Sequence, residues 1–193
     1  MGDVRACRDE ERGTILAIVN SAAEAYRGAI PAEHWREPYM DSLELDSEIA
    51  AGVAFSGYEL EGKLIGEMGI QPVRDIDLIR HAYVLPLNQR RGVGGALLEY
   101  LRSDNTRRML VGTWATAQLA IRFYRRHGFE LVSREKATAL LESYWTVPSG
   151  QIEASVVLAN PPLEDARLVS RKRRHPRGPL DRDQSTSSAR EPT

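Results

Sequence analysis

Gly92, Gly94 and Gly95 follow directly on Arg90 and Arg91, where a branched, strand-like run gives way to an amphipathic one. The first turn of a helix leaves backbone N–H groups unpaired, and its dipole favours negative charge there. Glycines let an anion reach that backbone without a Cβ in the way, and the arginines add formal positive charge. These properties suit a pyrophosphate held by Gln89, Arg90, Arg91, Gly92, Val93, Gly94 and Gly95. The glycines taken alone fit equally well the start of a tightly packed helix. A P-loop would need a Lys and an adjoining hydroxyl, which this stretch lacks. A dinucleotide fold would set the glycines after the first strand of a βαβ unit, whereas here several strand-like runs precede them.

The elements that must position this loop are legible as periodicities. A short strand at 4–6 precedes residues 9–26, where Ile15, Ile18, Val19 and Ala22 recur on one helical face. Asp41 with Glu44 three residues on has the capping-box pattern and predicts a second helix start. Runs at 53–60 and 63–73 flank Glu61-Gly62, a pair that favours a tight hairpin, and Arg74-Asp75 turns the chain into a third run at 76–85. These runs predict an antiparallel meander. Residues 92–103 then place Val93, Ala96, Leu97, Tyr100 and Leu101 on one face. A strand at 109–114, a helix at 118–127 closed by Gly128, a helix at 135–145 and a last strand at 152–158 complete a mixed α/β (α+β) order.

Composition narrows the class. Hydrophobic residues make up 42% and charged residues 27% of 193, the balance of a soluble globular chain. No apolar run approaches the roughly 20 residues of a membrane span, and no signal-peptide core opens the chain, so a cytoplasmic protein with no membrane partner is expected. The lone Cys7 excludes an internal disulfide and reads as a small residue ending the first strand. No Cys/His cluster has ligand spacing, so no metal is expected. The expected division is a domain over 1–159 and a disordered tail over 160–193, rich in Pro, Arg and Ser and too poor in apolar residues to offset its ordering entropy. Its basic run, Arg171-Lys172-Arg173-Arg174, reads first as a solvated extension, so nucleic acid is not an expected partner.

Two stretches resemble the GNAT superfamily of N-acetyltransferases. Ala82-Tyr83-Val84-Leu85-Pro86 leads into Gln89-Arg90-Arg91-Gly92-Val93-Gly94, similar to the family's coenzyme-binding motif, and Ala120-Ile121-Arg122-Phe123-Tyr124 leads into Gly128-Phe129, similar to its second motif. The resemblance covers about residues 3–158. It implies a mostly antiparallel twisted sheet flanked by helices, whose central strands splay into a V-shaped cleft for acetyl-CoA. In such a fold the pantetheine arm pairs with the backbone of Ala82, Tyr83 and Val84, in the manner of β-augmentation. Tyr124 stands where the family's general acid protonates the departing thiolate. The implied function is direct transfer of acetyl to a primary amine of a small molecule or peptide; a non-catalytic acyl-CoA-binding regulator is the alternative. A homodimer stays open.

The resemblance is incomplete at the base. The positions where some family members carry a carboxylate are Leu78 and Gly112, neither of which can take a proton. Glu67, Asp77 and His81 are the ionisable residues nearby, and strand alternation would put Asp77 and His81 on one face, opposite Ala82 and Val84. The acceptor site of such folds is lined by the loop between the first two helices. That points to His34, Trp35 and Tyr39, with Ile30, Pro31 and Met40 around them and Trp114, Tyr144 and Trp145 on the far side.

Overall fold

Left-handed turn residues crease residues 54–84 into three strands in the computed structural model, which describes residues 2–28, 30–103 and 105–163. Glu61 (φ 52°) and Gly62 (φ 76°) make the turn between β2 (Ala54–Leu60) and β3 (Lys63–Val73), the geometry whose twist matches the strands it joins. Arg74 (φ 52°) opens the turn into β4 (Ile76–Val84). The expected meander is therefore present, with β1 (Asp3–Ala6) added antiparallel to β2.

The sheet continues through β5 (Arg108–Trp114), which pairs parallel with β4, to β7 (Ser155–Asn160) and the two-residue β6 (Glu130–Leu131). The strand order is β1-β2-β3-β4-β5-β7-β6, and all pairs but β4–β5 are antiparallel. The last strand begins later than its apolar run suggests. Ile152 and its neighbours belong to a short helix, α6 (Ser149–Ala154), which begins after Pro148 with Ile152 N–H bonded to the Pro148 carbonyl.

Helices cover both faces. On one side lie α1 (Arg12–Ala23), α2 (Ser42–Ala50) and α5 (Arg134–Tyr144), packing Ile15, Val19 and Leu45 near β2 and Ala137 and Leu141 near β5 and β7. On the other lie α3 (Val93–Ser103) and α4 (Gln118–Arg126), closing on Met68, Ile79, Val111 and Leu158. Asp41 caps α2 by accepting from Glu44 N–H at 2.8 Å. In α3 the buried stripe is Val93, Leu97, Leu98 and Leu101; Tyr100, expected on it, is exposed. The compact unit runs through Leu163: Asn160 completes β7, and Leu163 packs against the α5-side core. The basic run at 171–174 and the rest of 164–193 lie outside the described residues.

Candidate active site

The central feature is a sheet that opens. Parallel pairing of β4 with β5 covers only Ile76↔Arg108 to Ile79↔Val111. Beyond it β4 continues against β3 and β5 against β7, so the strands diverge and their facing edges lose their partners. The cause is local. Between Glu67↔Tyr83 and Gly69↔Arg80 the register slips, so His81 and Ala82 stand opposite the single residue Met68, and His81 takes φ 47°. A bulge of this kind bends its strand and re-aims the side chains after it.

The bulge overturns the expected alternation. Asp77 and His81 lie on opposite faces. Asp77 is buried on the α3 side, bound by Asn105 Nδ2 at 2.5 Å, with Arg107 Nε 3.4 Å away. His81 stacks on Phe55 with its Nε2 3.3 Å from Glu48 Oε2, on the α2 side. Ala82 and Val84 pack on the α3 side, the face of Asp77, and Tyr83 on the side of α1 and α2.

The freed edge of β4 is the one that Ala82, Tyr83 and Val84 were expected to offer. Leu85 N–H donates to Ile65 O at 2.9 Å, so the preceding carbonyl, that of Val84, points away from β3 into the opening. It accepts from Gln89 Nε2 at 3.0 Å, which ties the glycine loop to the strand edge. Nothing in the sequence pattern signals that bond.

In the loop itself, Arg90 (φ 61°) and Gly92 (φ 85°) are both left-handed, and Arg90 and Arg91 are exposed. A Cβ on Gly92 would meet open space, whereas one on Gly94 would lie 3.2 Å from Phe123 and one on Gly95 3.1 Å from His127 Nε2. Gly92 thus permits the turn, and Gly94 and Gly95 let α3 approach α4, as the packing reading of the glycines expects. Ala96 N–H to Gly92 O at 3.0 Å is the first bond of the helix, which leaves the preceding N–H groups of Val93, Gly94 and Gly95 at its positive end.

A half-open cavity of about 90 Å³ lies in the opening, with Ala82 and Tyr83 on one wall and Val111, Gly112, Thr113 and Trp114 on the other. Tyr124 lines it from α4, held edge-to-face against Phe123 (5.0 Å, 76°) and Phe129 (5.3 Å, 67°). Burial raises its phenol well above the usual tyrosine range, with Tyr26 and Glu67 adding to the effect, so the hydroxyl keeps its proton.

The loop between α1 and α2 contributes part of what was expected. Tyr39 lines the cavity, and Met40 beside it is fixed by a double hydrogen bond to the Asn20 side chain, each at 2.9 Å. Met40 itself is core. His34 packs at a tilt against Trp114 (5.2 Å) and Trp35 against Tyr39 under Arg27, so these two touch lining residues without being among them. Ile30 reaches the wall, as does Tyr26, which sequence reasoning missed. On the far side Trp114 lines the cavity and Trp145 packs against Gly112, but Tyr144 turns away to bond Asp75 at 2.9 Å. Glu67, Asp77 and His81 are absent from the lining.

A family model described as an acetyltransferase (GNAT) domain matches residues 52–131, the stretch from the end of α2 to β6 that contains the opening. The chain is also 30% identical over 128 residues to the peptidyl-lysine N-acetyltransferase YiaC of Escherichia coli, covering 65% of this chain and 83% of that protein. The chain belongs to the GNAT acetyltransferase family. It is an acyltransferase, and the resemblance in its two motifs extends to the whole fold. The PaiA N-acetyltransferase of Thermoplasma acidophilum, solved in complex with coenzyme A, superposes with a TM-score of 0.62 at 16% identity, covering 82% of this chain and 98% of that one. The ribosomal-protein-S18-alanine N-acetyltransferase of Escherichia coli does so with 0.59 at 18% identity, over 82% and 92%. The splayed sheet is thus a GNAT sheet. Among the described residues no helix is long and apolar enough to cross a membrane, and no cluster of His, Cys, Asp or Glu could hold a metal ion.

Proposed function

We propose that this GNAT acyltransferase moves the acetyl group of acetyl-CoA onto a primary amine by direct attack, with Tyr124 as the proton donor. The observation that carries the reading is that the free edge of β4 and the phenol of Tyr124 face one cavity at the strand opening. Coenzyme A in the PaiA complex, and the peptidyl-lysine and S18-alanine acceptors in the names of relatives, support a thioester donor and an amine acceptor.

The residues present fit such a donor. The loop 89–95 offers N–H groups and Arg90 and Arg91 to a pyrophosphate, and the β4 edge at Ala82, Tyr83 and Val84, free of β5 though its Val84 carbonyl is held by Gln89 Nε2, offers strand partners to amide groups. The acceptor ammonium loses one proton to water. Its nitrogen then attacks the acyl carbon, a C–N bond forms, and the C–S bond breaks. Tyr124 gives its proton to the sulfur and regains one from the adduct nitrogen, so amide and free thiol result. Backbone N–H groups at the β4 edge stabilise the oxyanion, an effect worth about 3 kcal/mol per donor in acyl-transfer sites.

Release of free thiol from acetyl-CoA across a panel of amines tests the reading. Tyr124→Phe should lower kcat by roughly 10²–10⁴-fold while acetyl-CoA affinity holds. An unchanged kcat would remove Tyr124 from the proposal.

A further inference from the structure

Glu48 belongs to α2 and is absent from the cavity lining, yet it holds two consecutive residues of β4. Its Oε1 accepts from Arg80 Nη2 at 2.7 Å, and its Oε2 stands 3.3 Å from His81 Nε2. The second approach is within ion-pair distance without the alignment of a hydrogen bond, and neither atom has another partner among the described residues. At 16–20% exposure the three side chains are largely shielded from water, so salt screens their attraction little.

In a regular strand successive side chains leave on opposite faces, so one carboxylate would not reach both Arg80 and His81. The bulge makes it possible. Arg80 continues the side of Leu78, which packs towards α5, and His81, at φ 47°, joins it there instead of facing α3. The rest of the network lies on that side as well. Arg80 Nη1 donates to Gln71 Oε1 at 2.8 Å, and Gln71 Nε2 donates to Ala51 O at 2.9 Å, just past the end of α2. The His81 ring stacks on Phe55 of β2 at 6.0 Å and 27°. A left-handed conformation at a non-glycine residue persists only where its surroundings over-determine it. Glu48 and Phe55 are those surroundings.

Resting on the reading of acetyl-CoA as donor, we infer that Glu48 is a positioning residue for the coenzyme: by holding Arg80 and His81 together it selects the bulged register of β4. The other register has a definite consequence. Without the extra residue the alternation of Leu78 and Arg80 would continue, sending His81 and Tyr83 to the α3 side and Ala82 and Val84 to the side of α1 and α2. The Tyr83 ring would leave the cavity, and the bend that parts β4 from β5 would be lost. Glu48 would then keep one of its two partners. A ligand that needs the open edge binds only the bulged fraction, and its apparent affinity falls with that fraction. Glu48 thus acts on donor binding from outside the cavity, through Arg80 and His81.

Calorimetric titration of the full chain with acetyl-CoA, well below the melting temperature of each variant, tests this. Glu48→Ala should raise the Kd roughly fivefold or more, as when the bulged register falls to about a fifth of the population. Glu48→Gln keeps a head for each partner, an oxygen for Arg80 and an amide group for His81, and should restore most of the affinity. His81→Gly allows the left-handed backbone and leaves Glu48 no ring to hold. In that background Glu48→Ala should weaken binding at least about twofold less than in the parent, the smallest coupling that neighbours in one network show. A residue serving stability alone would lower the melting temperature and leave the Kd in place. An unchanged Kd in Glu48→Ala, no recovery in Glu48→Gln, or an equal effect of Glu48→Ala in both backgrounds overturns the inference with the donor reading intact. The two single Glu48 variants leave β4 unaltered and decide the matter if His81→Gly does not fold. A parent chain that binds no acetyl-CoA overturns the donor reading and the inference with it.

Discussion

Glu67 is the residue whose environment departs furthest from its chemistry. It is fully buried, stands opposite Tyr83 across β3 and β4, and neither carboxylate oxygen has a hydrogen-bond partner. Burial holds its pKa well above the ordinary 4.5, and the nearby backbone N–H of Tyr83 acts in the opposite sense without offsetting it. Between the ordinary carboxylate range and its raised folded-state pKa, the folded protein therefore binds a proton that the unfolded chain has released. Stability is full below the ordinary carboxylate range and falls as pH rises towards the folded-state pKa, by up to about 1.4 kcal/mol per pH unit. Glu67→Gln should flatten this slope, gaining stability at pH 8 relative to the parent and little at pH 4. Urea unfolding midpoints over that range measure it. Parallel curves would show that Glu67 does not carry the dependence.

At the scale of elements, the opening depends on how closely α3 lies against β3 and β4. Gly66 makes that contact: a Cβ there would come 2.9 Å from Val93 Cγ1 and 3.2 Å from the Tyr83 carbonyl. The first contact is a short branched side chain in the opening turn of α3, and the second is backbone, so neither gives way easily. Gly66→Ala should cost about 1–3 kcal/mol. Because the displaced turn carries the glycine loop, acetyl-CoA affinity should weaken along with the melting temperature. A variant with parental stability and affinity would show that the contact is slack.

For the whole molecule, the question is where the folded unit ends. Asn160 pairs with Met109, and its Nδ2 donates to Gly128 O at 2.6 Å, tying β7 to the end of α4. Leu163 packs against the α5-side core. We propose that residues 164–193 are dispensable for the fold and for catalysis. A chain ending at Leu163 should keep the parental melting temperature and thiol-release rate, whereas one ending at Ala159 should melt several degrees lower. Loss of activity in the longer of the two would assign the tail a catalytic or folding role.

The sequence alone determined the meander, the amphipathic helix behind the glycine loop, and the two motifs that identify the family. Each of these is written in neighbouring residues: hairpin turns at Glu61-Gly62 and Arg74, a helical apolar repeat, a capping aspartate. The cavity was only half legible. Tyr39, Trp114 and Tyr124 were in view, but Tyr26 was not, and Tyr83 was known for its backbone rather than its ring. These residues come from the connection between α1 and α2, from β4, from β5 and from α4, and no periodicity within one segment reports which side chains from distant segments share a space. The tertiary structure decided that through one extra residue in β4. A bulge inverts the side-chain alternation after it, and only pairing with β3 reveals it, so Asp77 and His81 part to opposite faces and Tyr83 turns towards the cavity.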